Sequence, residues 1–299
     1  MTADPARRIV VGGASGLIGS ALVASLRADG VEVATLVRRP PRTSDEVQWA
    51  PGERPLDPAA LDGAQAVVAL GGASVGRLPW TPRYRRTLVD SRLRSTRTLV
   101  DAVRAIGADA PALISASAVG YYGSMPGATL DEASPPGDTF LARLCVRWEE
   151  EARRAEDRAR VALLRTAPVI HRRGVLTPLI RMTGWGVAGP LGPGTQIWPW
   201  ISLDDEVRAI RHVIARRLEG PVNLTGPSPA SANDIGRALA SRMHRPFLLP
   251  APAWALRVAL GPAADSLLLS DADVRPAVLE RTGFRFVHET AADAVSAAV

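Results

Sequence analysis

The stretch Arg-Ile-Val-Val-Gly-Gly-Ala-Ser-Gly-Leu-Ile-Gly at residues 8–19 decides the fold. Its apolar beginning predicts a short buried strand, and apolar residues at helical spacing follow over residues 17–28. Gly13 suits a turn whose backbone dihedrals other residues disfavour. Gly16 lets the main chain approach a pyrophosphate, and Gly19 lets the helix pack closely on the strand. Strand, glycine turn and helix together predict a dinucleotide-binding turn that holds phosphates at the helix N-terminus.

Strands and helices alternate through the rest of the first half of the chain. Such alternation is typical of a parallel sheet with right-handed crossovers. We therefore predict an α/β fold, a doubly wound parallel Rossmann sheet with a smaller C-terminal α+β substrate lobe. The predicted strands are 8–12, 32–37, 47–49, 66–70, 112–117, 161–166 and 221–226, and the predicted helices are 17–28, 82–106, 140–158 and 231–243.

The composition changes after Thr166, where glycine, proline and tryptophan become frequent. The second half is therefore interpreted as a separate lobe that is partly interleaved with the last strands of the sheet. The predicted units are a Rossmann domain at 1–168 and a substrate lobe at 169–299, with a small terminal domain at about 245–299. Within the lobe, residues 184–199 are predicted to be loop and residues 283–286 a strand.

The end of the second strand distinguishes between the two nicotinamide dinucleotides. A carboxylate about 20 residues after the turn binds the ribose hydroxyls of NAD(H), but this chain has Arg38 and Arg39 there. A guanidinium forms a two-pronged, charge-assisted pair with the 2′-phosphate of NADP(H), which a carboxylate would repel. We therefore predict NADP(H) as the cofactor. The alternative is that both arginines are merely solvated after the strand.

Two further segments are expected to line the cofactor, the glycine turn itself and the Leu-Gly-Gly-Ala sequence that ends the strand at 66–70. Both lie where the carboxyl ends of parallel strands meet. The predicted cofactor-binding residues are Gly13, Ser15, Gly16, Leu17, Ile18, Arg38, Arg39, Leu70, Gly71, Gly72 and Ala73.

The composition excludes several chemistries. The chain has 36 basic residues, all of them arginine, and no lysine. It therefore has no Schiff-base lysine, no Gly-Lys-Ser/Thr phosphate loop and no lysine to assist a catalytic tyrosine. The arginines behind the net charge of +6 are scattered, so we expect no nucleic-acid partner. The four histidines show no metal-ligand spacing, so we expect no metal.

The single cysteine, Cys145, cannot form an internal disulfide and suits a reducing compartment. The N-terminal segment lacks the apolar core of a signal peptide. The apolar stretch 254–269 is interrupted by Arg257, Pro262 and Asp265, which argues against a membrane span. We therefore expect a cytoplasmic monomer or homodimer with a small-molecule substrate and no membrane partner.

A family resemblance rests on segments spread over nearly the whole chain, namely residues 12–19, 71–73, 114–123, 144–149, 164–166, 189–194, 199–205 and 245–286. These segments resemble the extended short-chain dehydrogenase/reductase superfamily, and within it the atypical branch of epimerase-family proteins. The last segment is similar to that branch's small C-terminal domain of unknown function. The resemblance implies a Rossmann core that binds NADP(H) across the strand ends, with a substrate lobe above it.

The superfamily's usual catalysts are a serine and a tyrosine–lysine pair. Ser117 matches the serine by its position at the end of its strand, but the tyrosine position falls at Leu141 and the lysine position at Cys145. Ser202 stands where the branch usually has a histidine. Ser202 or Asp204 is interpreted as a helix cap, and a carboxylate that faces the pocket is the alternative.

Without that pair, Tyr121 and Tyr122 are the remaining candidate proton donors, because they follow Ser117 at the carboxyl end of the strand. The alternative is that the two tyrosines are loop packing that shapes the cofactor pocket. Cys145 is interpreted as a small buried hydrophobe and not as a nucleophile.

Two functions stay open at this point. The first is an NADP(H)-dependent oxidoreductase or epimerase-like enzyme in which Ser117 holds a carbonyl or hydroxyl of an unknown small molecule. The second is an NADP(H)-holding sensor or scaffold protein without turnover. Four residues of the loop-rich segment are expected either to line a substrate pocket or to join the two lobes: Trp185, Gln196, Trp198 and Trp200.

Overall fold

A seven-stranded sheet flanked by helices forms the centre of the protein, whose computed structural model describes residues 8–174 and 176–299. The strands are β1 (Arg8–Gly12), β2 (Glu32–Val37), β3 (Glu46–Gln48), β4 (Ala64–Ala69), β5 (Ala112–Ala118), β6 (Thr129–Leu130), β7 (Val161–Thr166), β8 (Val169–Ile170), β9 (Ile201–Ser202), β10 (Gly220–Leu224) and β11 (Asp273–Val274). The helices are α1 (Leu17–Ala28), α2 (Pro82–Ile106), α3 (Phe140–Arg153), α4 (Leu176–Gly184), α5 (Leu203–Ala215), α6 (Ala232–Arg242), α7 (Ala253–Leu260), α8 (Pro262–Leu267), α9 (Ala277–Arg281) and α10 (Ala291–Ala298).

Every strand pair in the large sheet is parallel, and the strand order is β10-β7-β5-β4-β1-β2-β3. The order reverses at β1, whose two neighbours are β2 and β4. Ligands of open parallel sheets bind outside the carboxyl ends of the strands at such a reversal. The predicted doubly wound Rossmann sheet is therefore confirmed, and the glycine turn that follows β1 lies at its switch point.

Apolar layers cover both faces of this sheet, because successive side chains of a strand point to opposite faces. In β7, Leu163 packs in one layer with Leu99 of α2, whereas Leu164 packs in the other with Ile210 of α5. Helix α2 also contacts α3, and α1 contacts α5. Thus α2 and α3 cover one face of the sheet, and α1 and α5 cover the other.

The second half of the chain is tied into the first by strand pairing. Strand β10 joins the outer edge of β7, and β11 pairs with β6 in a separate two-stranded sheet. A third small sheet is formed by β8 and β9. The remainder of the second half is mainly helical, so the residues after 168 both complete the large sheet and add further helices, and their division into a substrate lobe stays a prediction.

Two predicted elements differ in the structure. The strand predicted at residues 283–286 is wrong, because this segment forms no strand. Helix α9 ends at Arg281, Gly283 follows with φ +79, and Phe284 packs edge-to-face on Phe286 and on His212 of α5. The aromatic residues of segment 283–286 are therefore held by packing against α5 and not by pairing with a neighbouring strand. Helix α3 ends at Arg153, five residues before the predicted end at 158, and a turn follows.

The apolar stretch at residues 254–269 forms α7 and α8, which are separated at Gly261 with φ +58. Within residues 8–174 and 176–299, no helix combines the length and the apolar character that crossing a membrane requires.

Candidate functional site

The glycine turn packs directly against the segment that follows β4. Gly13 has φ +85, and a Cβ placed on it would lie 2.8 Å from the backbone nitrogen of Gly71 and 2.8 Å from the carbonyl carbon of Leu70. Only glycine therefore satisfies both the backbone conformation and the space at position 13. The turn after β1 and the end of β4 consequently form one continuous edge.

Gly16 caps helix α1 with extended backbone and no side-chain hydrogen bond, so the helix begins with free N–H groups. A Cβ on Gly19 would lie 2.3 Å from the carbonyl oxygen of Gly13, which explains why glycine is required there. Ser15 and Gly16 are exposed, and Leu17 and Ile18 are half-buried. The turn therefore presents an accessible helix N-terminus to an anionic group.

The two arginines after β2 have different surroundings. Arg39 donates two hydrogen bonds to Glu46, from Nη1 at 2.7 Å and from Nη2 at 2.6 Å. The bond from Arg39 lowers the pKa of Glu46 to about 2, so this pair is charged at neutral pH. Arg38 is exposed and has no hydrogen bond or ion pair with any residue in the described part of the chain.

The segment Leu70–Ala73 joins β4 to the loop before α2. The backbone N–H of Leu70 donates to the carbonyl of Gly12, and that of Ala73 donates to Ser91 Oγ of α2 at 3.0 Å. Gly72 is exposed between them. The segment is thus anchored at both ends, beside the glycine turn and beside α2.

A row of polar residues crosses the sheet next to this edge. Ser117, Arg165 and Asn223 occupy paired positions on β5, β7 and β10, and all three are buried. Arg165 donates from Nε and Nη2 to the two carboxylate oxygens of Glu149 on α3, each at 2.9 Å. Ser117 donates to the same carboxylate at 2.7 Å. Glu149 therefore joins two strands to the helix that covers them.

Tyr122 completes the row at its other end. Its hydroxyl donates to Oδ1 of Asn223 at 2.7 Å and accepts from Nη1 of Arg165 at 2.9 Å. Burial raises the pKa of Tyr122 to about 12, although Arg165 and Asn223 act in the opposite direction. Burial alone would lower the pKa of Arg165, but Glu149 and Tyr122 more than offset it, so the guanidinium stays charged. We call Ser117, Tyr122, Glu149, Arg165 and Asn223 the polar row.

The three residues predicted to be catalytic therefore differ in accessibility. Ser117 is 4% exposed and Tyr122 is 0% exposed, and the hydroxyl protons of both are engaged within the polar row. Tyr121 is half-buried, and the guanidinium carbon of Arg165 lies 3.5 Å from the centroid of the Tyr121 ring. Catalytic roles for all three residues stay predictions. Of the two tyrosines, Tyr121 is the more accessible.

Sequence reasoning missed Glu149, Arg165 and Asn223 as members of the site. One signal was present, because Arg165 interrupts the apolar strand Val-Ala-Leu-Leu-Arg-Thr and a charge in a buried strand requires a partner. Glu149 also lies four residues after Cys145, on the same helical face. The identity of the partner depends on which strands are neighbours, and the local sequence does not contain that information.

The positions of the missing tyrosine–lysine pair are filled by apolar packing. Leu141 packs beside Gly120 on the loop after β5. Cys145 is buried, and burial raises the pKa of its thiol to about 12. Such a thiol is protonated at neutral pH, in agreement with its interpretation as a small buried hydrophobe.

The capping prediction for α5 is confirmed at Ser202, whose Oγ accepts from the backbone N–H of Asp205 at 3.0 Å. Among the loop residues expected to line a pocket or join the lobes, Gln196 is buried and donates to the carbonyls of Leu191 and Leu268. Trp200 is also buried, whereas Trp185 is exposed. Gln196 and Trp200 therefore join parts of the second half and do not face an open pocket.

Residues 8–174 and 176–299 contain no cluster of three or more histidine, cysteine, aspartate or glutamate side chains placed to hold a metal ion.

The sequence profile of the NAD dependent epimerase/dehydratase family matches residues 9–224, and a domain of unknown function, DUF1731, matches residues 251–298. An epimerase family protein of Mycobacterium bovis is 42% identical over 290 residues, which cover 96% of each chain.

Solved structures agree with these matches. The crystal structure of human epimerase family protein SDR39U1 (isoform 2) with NADPH has a TM-score of 0.88 at 26% identity and covers 97% of this chain and 98% of that one. UDP-glucuronic acid 4-epimerase from Bacillus cereus in complex with NAD has a TM-score of 0.73 at 17% identity and covers 97% of this chain and 96% of that one, which shows a shared fold.

The resemblance seen in the sequence motifs is thereby confirmed. The match over residues 9–224 includes the glycine turn, the segment after β4 and every member of the polar row. The chain belongs to the NAD dependent epimerase/dehydratase family, among the epimerase family proteins that carry a C-terminal DUF1731 domain.

Proposed function

We propose that the protein is an NADP(H)-binding oxidoreductase or epimerase-like enzyme that acts on a small molecule. The observation that carries the choice of NADP(H) is Arg38, an exposed guanidinium without a partner in the described chain, at the end of the strand next to the glycine turn. The human relative with NADPH bound supports the choice, and the NAD complex of the more distant Bacillus cereus enzyme does not separate the two cofactors.

The residues present fit such a cofactor. Gly13 and Gly19 let the turn pack tightly against the end of β4 and against the start of α1, and the first turn of α1 offers free N–H groups to a pyrophosphate. Arg38 would pair with the 2′-phosphate, while Arg39 is held by Glu46 and is the weaker candidate. When bound, NADP(H) supplies a hydride donor or acceptor. Leu70, Gly71, Gly72 and Ala73 would line the middle of the cofactor.

Arg38→Ala is expected to weaken NADPH binding about 10- to 100-fold, since it removes a charge-assisted contact to the 2′-phosphate. Binding of NADH, which lacks that phosphate, should change less than about twofold. Fluorescence titration of both cofactors measures the effect. Arg54→Ala, which removes another exposed arginine, is the matched control and should bind NADPH as the wild type does. Equal wild-type affinity for NADH and NADPH would refute the NADP(H) assignment.

The proposed proton donor is Tyr121, because its phenol is partly accessible whereas that of Tyr122 is buried and bonded at both ends. The guanidinium of Arg165 packs on the Tyr121 ring and holds its orientation. Ser117 would hold a carbonyl or hydroxyl only after its bond to Glu149 is exchanged for one to substrate. The polar row would then position Tyr121 and Ser117.

Tyr121→Phe is expected to reduce turnover about 100-fold or more with NADPH affinity unchanged, because it removes a general acid but keeps the ring. The assay follows NADPH absorbance against a panel of quinones, aldehydes and sugar nucleotides. Tyr122→Phe is the comparison, since its effect should appear in stability. Undiminished turnover in Tyr121→Phe would exclude Tyr121 as the proton donor.

A second candidate function is an NADP(H)-holding sensor or scaffold without turnover. The observation that favours it is the engagement of the Ser117 and Tyr122 hydroxyl protons within the protein, in a chain without lysine. Tight NADPH binding without oxidation by any compound of the panel would support this function over the enzyme.

A further inference from the structure

Arg92 of α2 is a partly buried cation with unused hydrogen-bond donors. Its Nη1 donates to the carbonyl of Leu88 within the same helix at 3.0 Å, and no carboxylate in the described part of the chain pairs with it. Its guanidinium carbon lies 5.1 Å from the ring centroid of Trp148 on α3. Burial lowers the pKa of Arg92. The buried Arg165, by contrast, pairs with Glu149, so an unpaired Arg92 calls for an explanation.

The guanidinium of Arg92 faces the segment after β4. A Cβ placed on Gly72 would lie 3.3 Å from the guanidinium carbon, so the group packs on the backbone at Gly72. Gly72 belongs to the edge formed with the glycine turn, and Ser91 of the same helix anchors the neighbouring Ala73. The free nitrogens of Arg92 are not among the sealed, unpartnered atoms of the described chain. They therefore keep some access to solvent, and Nε lies beside Gly72 on this edge.

Arg92 also reaches the face of α3 where the lysine of the superfamily would stand. Trp148, which it covers, follows Cys145 by three residues and lies on the same helical face. Cys145 occupies the lysine position and supplies no positive charge. Arg92 of α2 thus brings a positive charge near the position on α3 where the lysine is missing. Arg165 does not serve there, because Glu149 and Tyr122 use its donors.

We propose that Arg92 binds the nicotinamide half of the cofactor, through the oxygens of its ribose and adjoining phosphate. This inference rests on the proposed binding of NADP(H). Arg38 and Arg92 then divide the ligand between them, with Arg38 at the adenosine 2′-phosphate and Arg92 at the opposite half. A packing role alone would not require a guanidinium with free donors beside Gly72, since the stem of an arginine packs and its head normally reaches bulk water.

The test compares two ligands in each of four proteins. NADPH carries both halves of the cofactor, whereas adenosine 2′,5′-bisphosphate carries only the adenosine half. Isothermal titration would measure both affinities in the wild type, Arg92→Met, Arg92→Lys and Arg86→Met. Arg86 is an exposed arginine of the same helix and serves as the matched control.

Arg92→Met is expected to lose about tenfold or more in NADPH affinity and to keep its affinity for the bisphosphate within about twofold. Arg92→Lys should fall between Arg92→Met and the wild type, because it keeps the charge but not the planar fork. Arg86→Met should match the wild type with both ligands.

Unchanged NADPH affinity in Arg92→Met overturns the inference. An equal loss for both ligands also overturns it, because the defect then lies outside the nicotinamide half. If Arg92→Met does not fold, Arg92→Lys provides the test. A ratio of NADPH affinity to bisphosphate affinity equal to that of the wild type would then refute the proposal. If the wild type binds neither the bisphosphate nor NADPH, the proposed function itself is overturned.

Discussion

Replacement of Arg165 by methionine is expected to lower the free energy of unfolding by about 3–5 kcal/mol, the usual cost when one partner of a buried ion pair is removed. Arg165 is 2% exposed and Glu149 is 4% exposed. The substitution leaves the Glu149 carboxylate with Ser117 as its remaining side-chain donor. It also removes the donor to the Tyr122 hydroxyl. The unpaired buried charge of Glu149 and the lost contact of Tyr122 both lower the free energy of unfolding.

Urea unfolding followed by circular dichroism measures this change. Arg97→Met is the matched control, because Arg97 pairs with Glu151 on the same helix as Glu149 but is largely exposed. Its cost should stay below about 1 kcal/mol. Combining Arg165→Met with Glu149→Met should recover part of the loss, since no buried carboxylate is then left unpaired. An Arg165→Met protein as stable as Arg97→Met would contradict the importance assigned to the ion pair.

Glu206→Gln is expected to change how stability depends on pH. Glu206 is fully buried at the start of α5, and its Oε1 accepts a hydrogen bond from Thr166 at 2.9 Å. Its Oε2 has no hydrogen-bond partner within the described chain. Burial raises the pKa of Glu206 to about 8, against the smaller opposite effect of Thr166. The folded protein therefore keeps this carboxyl protonated at neutral pH.

The sign of the effect follows from where the proton is bound. Between about pH 5 and about pH 8 the unfolded chain has released the Glu206 proton and the folded chain still holds it. Rising pH therefore favours the unfolded state, by about 1.4 kcal/mol for each pH unit, and the effect levels off above the folded pKa. Glu206→Gln removes this contribution, because the amide does not titrate.

Urea unfolding of the wild type and Glu206→Gln at several pH values gives the measurement. The two proteins should have similar stability near pH 5, and the variant should become progressively more stable as the pH rises to 8. Glu150→Gln, at an exposed position of α3, should show no such divergence. A constant difference between wild type and Glu206→Gln across this range would mean that Glu206 is not held neutral by the fold.

Local sequence was sufficient for the parts of the fold that depend on neighbours in the chain. The turn at Gly13, the strand before it and the helix after it all follow from residues within one short segment, and the structure has them where they were expected. The cap of α5 at Ser202 is also local, because the hydroxyl bonds a backbone N–H three residues later. Such features need no knowledge of the sheet.

The polar row could not be predicted from local sequence, because its members are far apart in the chain. Ser117, Arg165 and Asn223 come from three strands that are distant in sequence, and they meet only because β5, β7 and β10 are neighbours in one register. A shift by one residue would place each side chain on the other face of the sheet. The serine was therefore recognised by position, while its engagement with Glu149 was not.

The same limit applies to the two arginines after β2. Sequence placed Arg38 and Arg39 together as phosphate ligands, but Glu46 on the neighbouring strand pairs with Arg39 and leaves Arg38 free among the described residues. A contact seven residues away in the chain thus decides which of two adjacent guanidinium groups is available.

The position of β10 has a consequence for synthesis of the chain on the ribosome. As the polypeptide emerges, β7 appears long before the strand that covers its outer edge. Until residues 220–224 follow, this edge presents unpaired backbone groups, which invite association with other nascent chains. Tyr122 also lacks its acceptor, Asn223, throughout that interval. A chain that ends before β10 therefore leaves both the outer edge of β7 and the hydroxyl of Tyr122 without the partners they have in the complete fold.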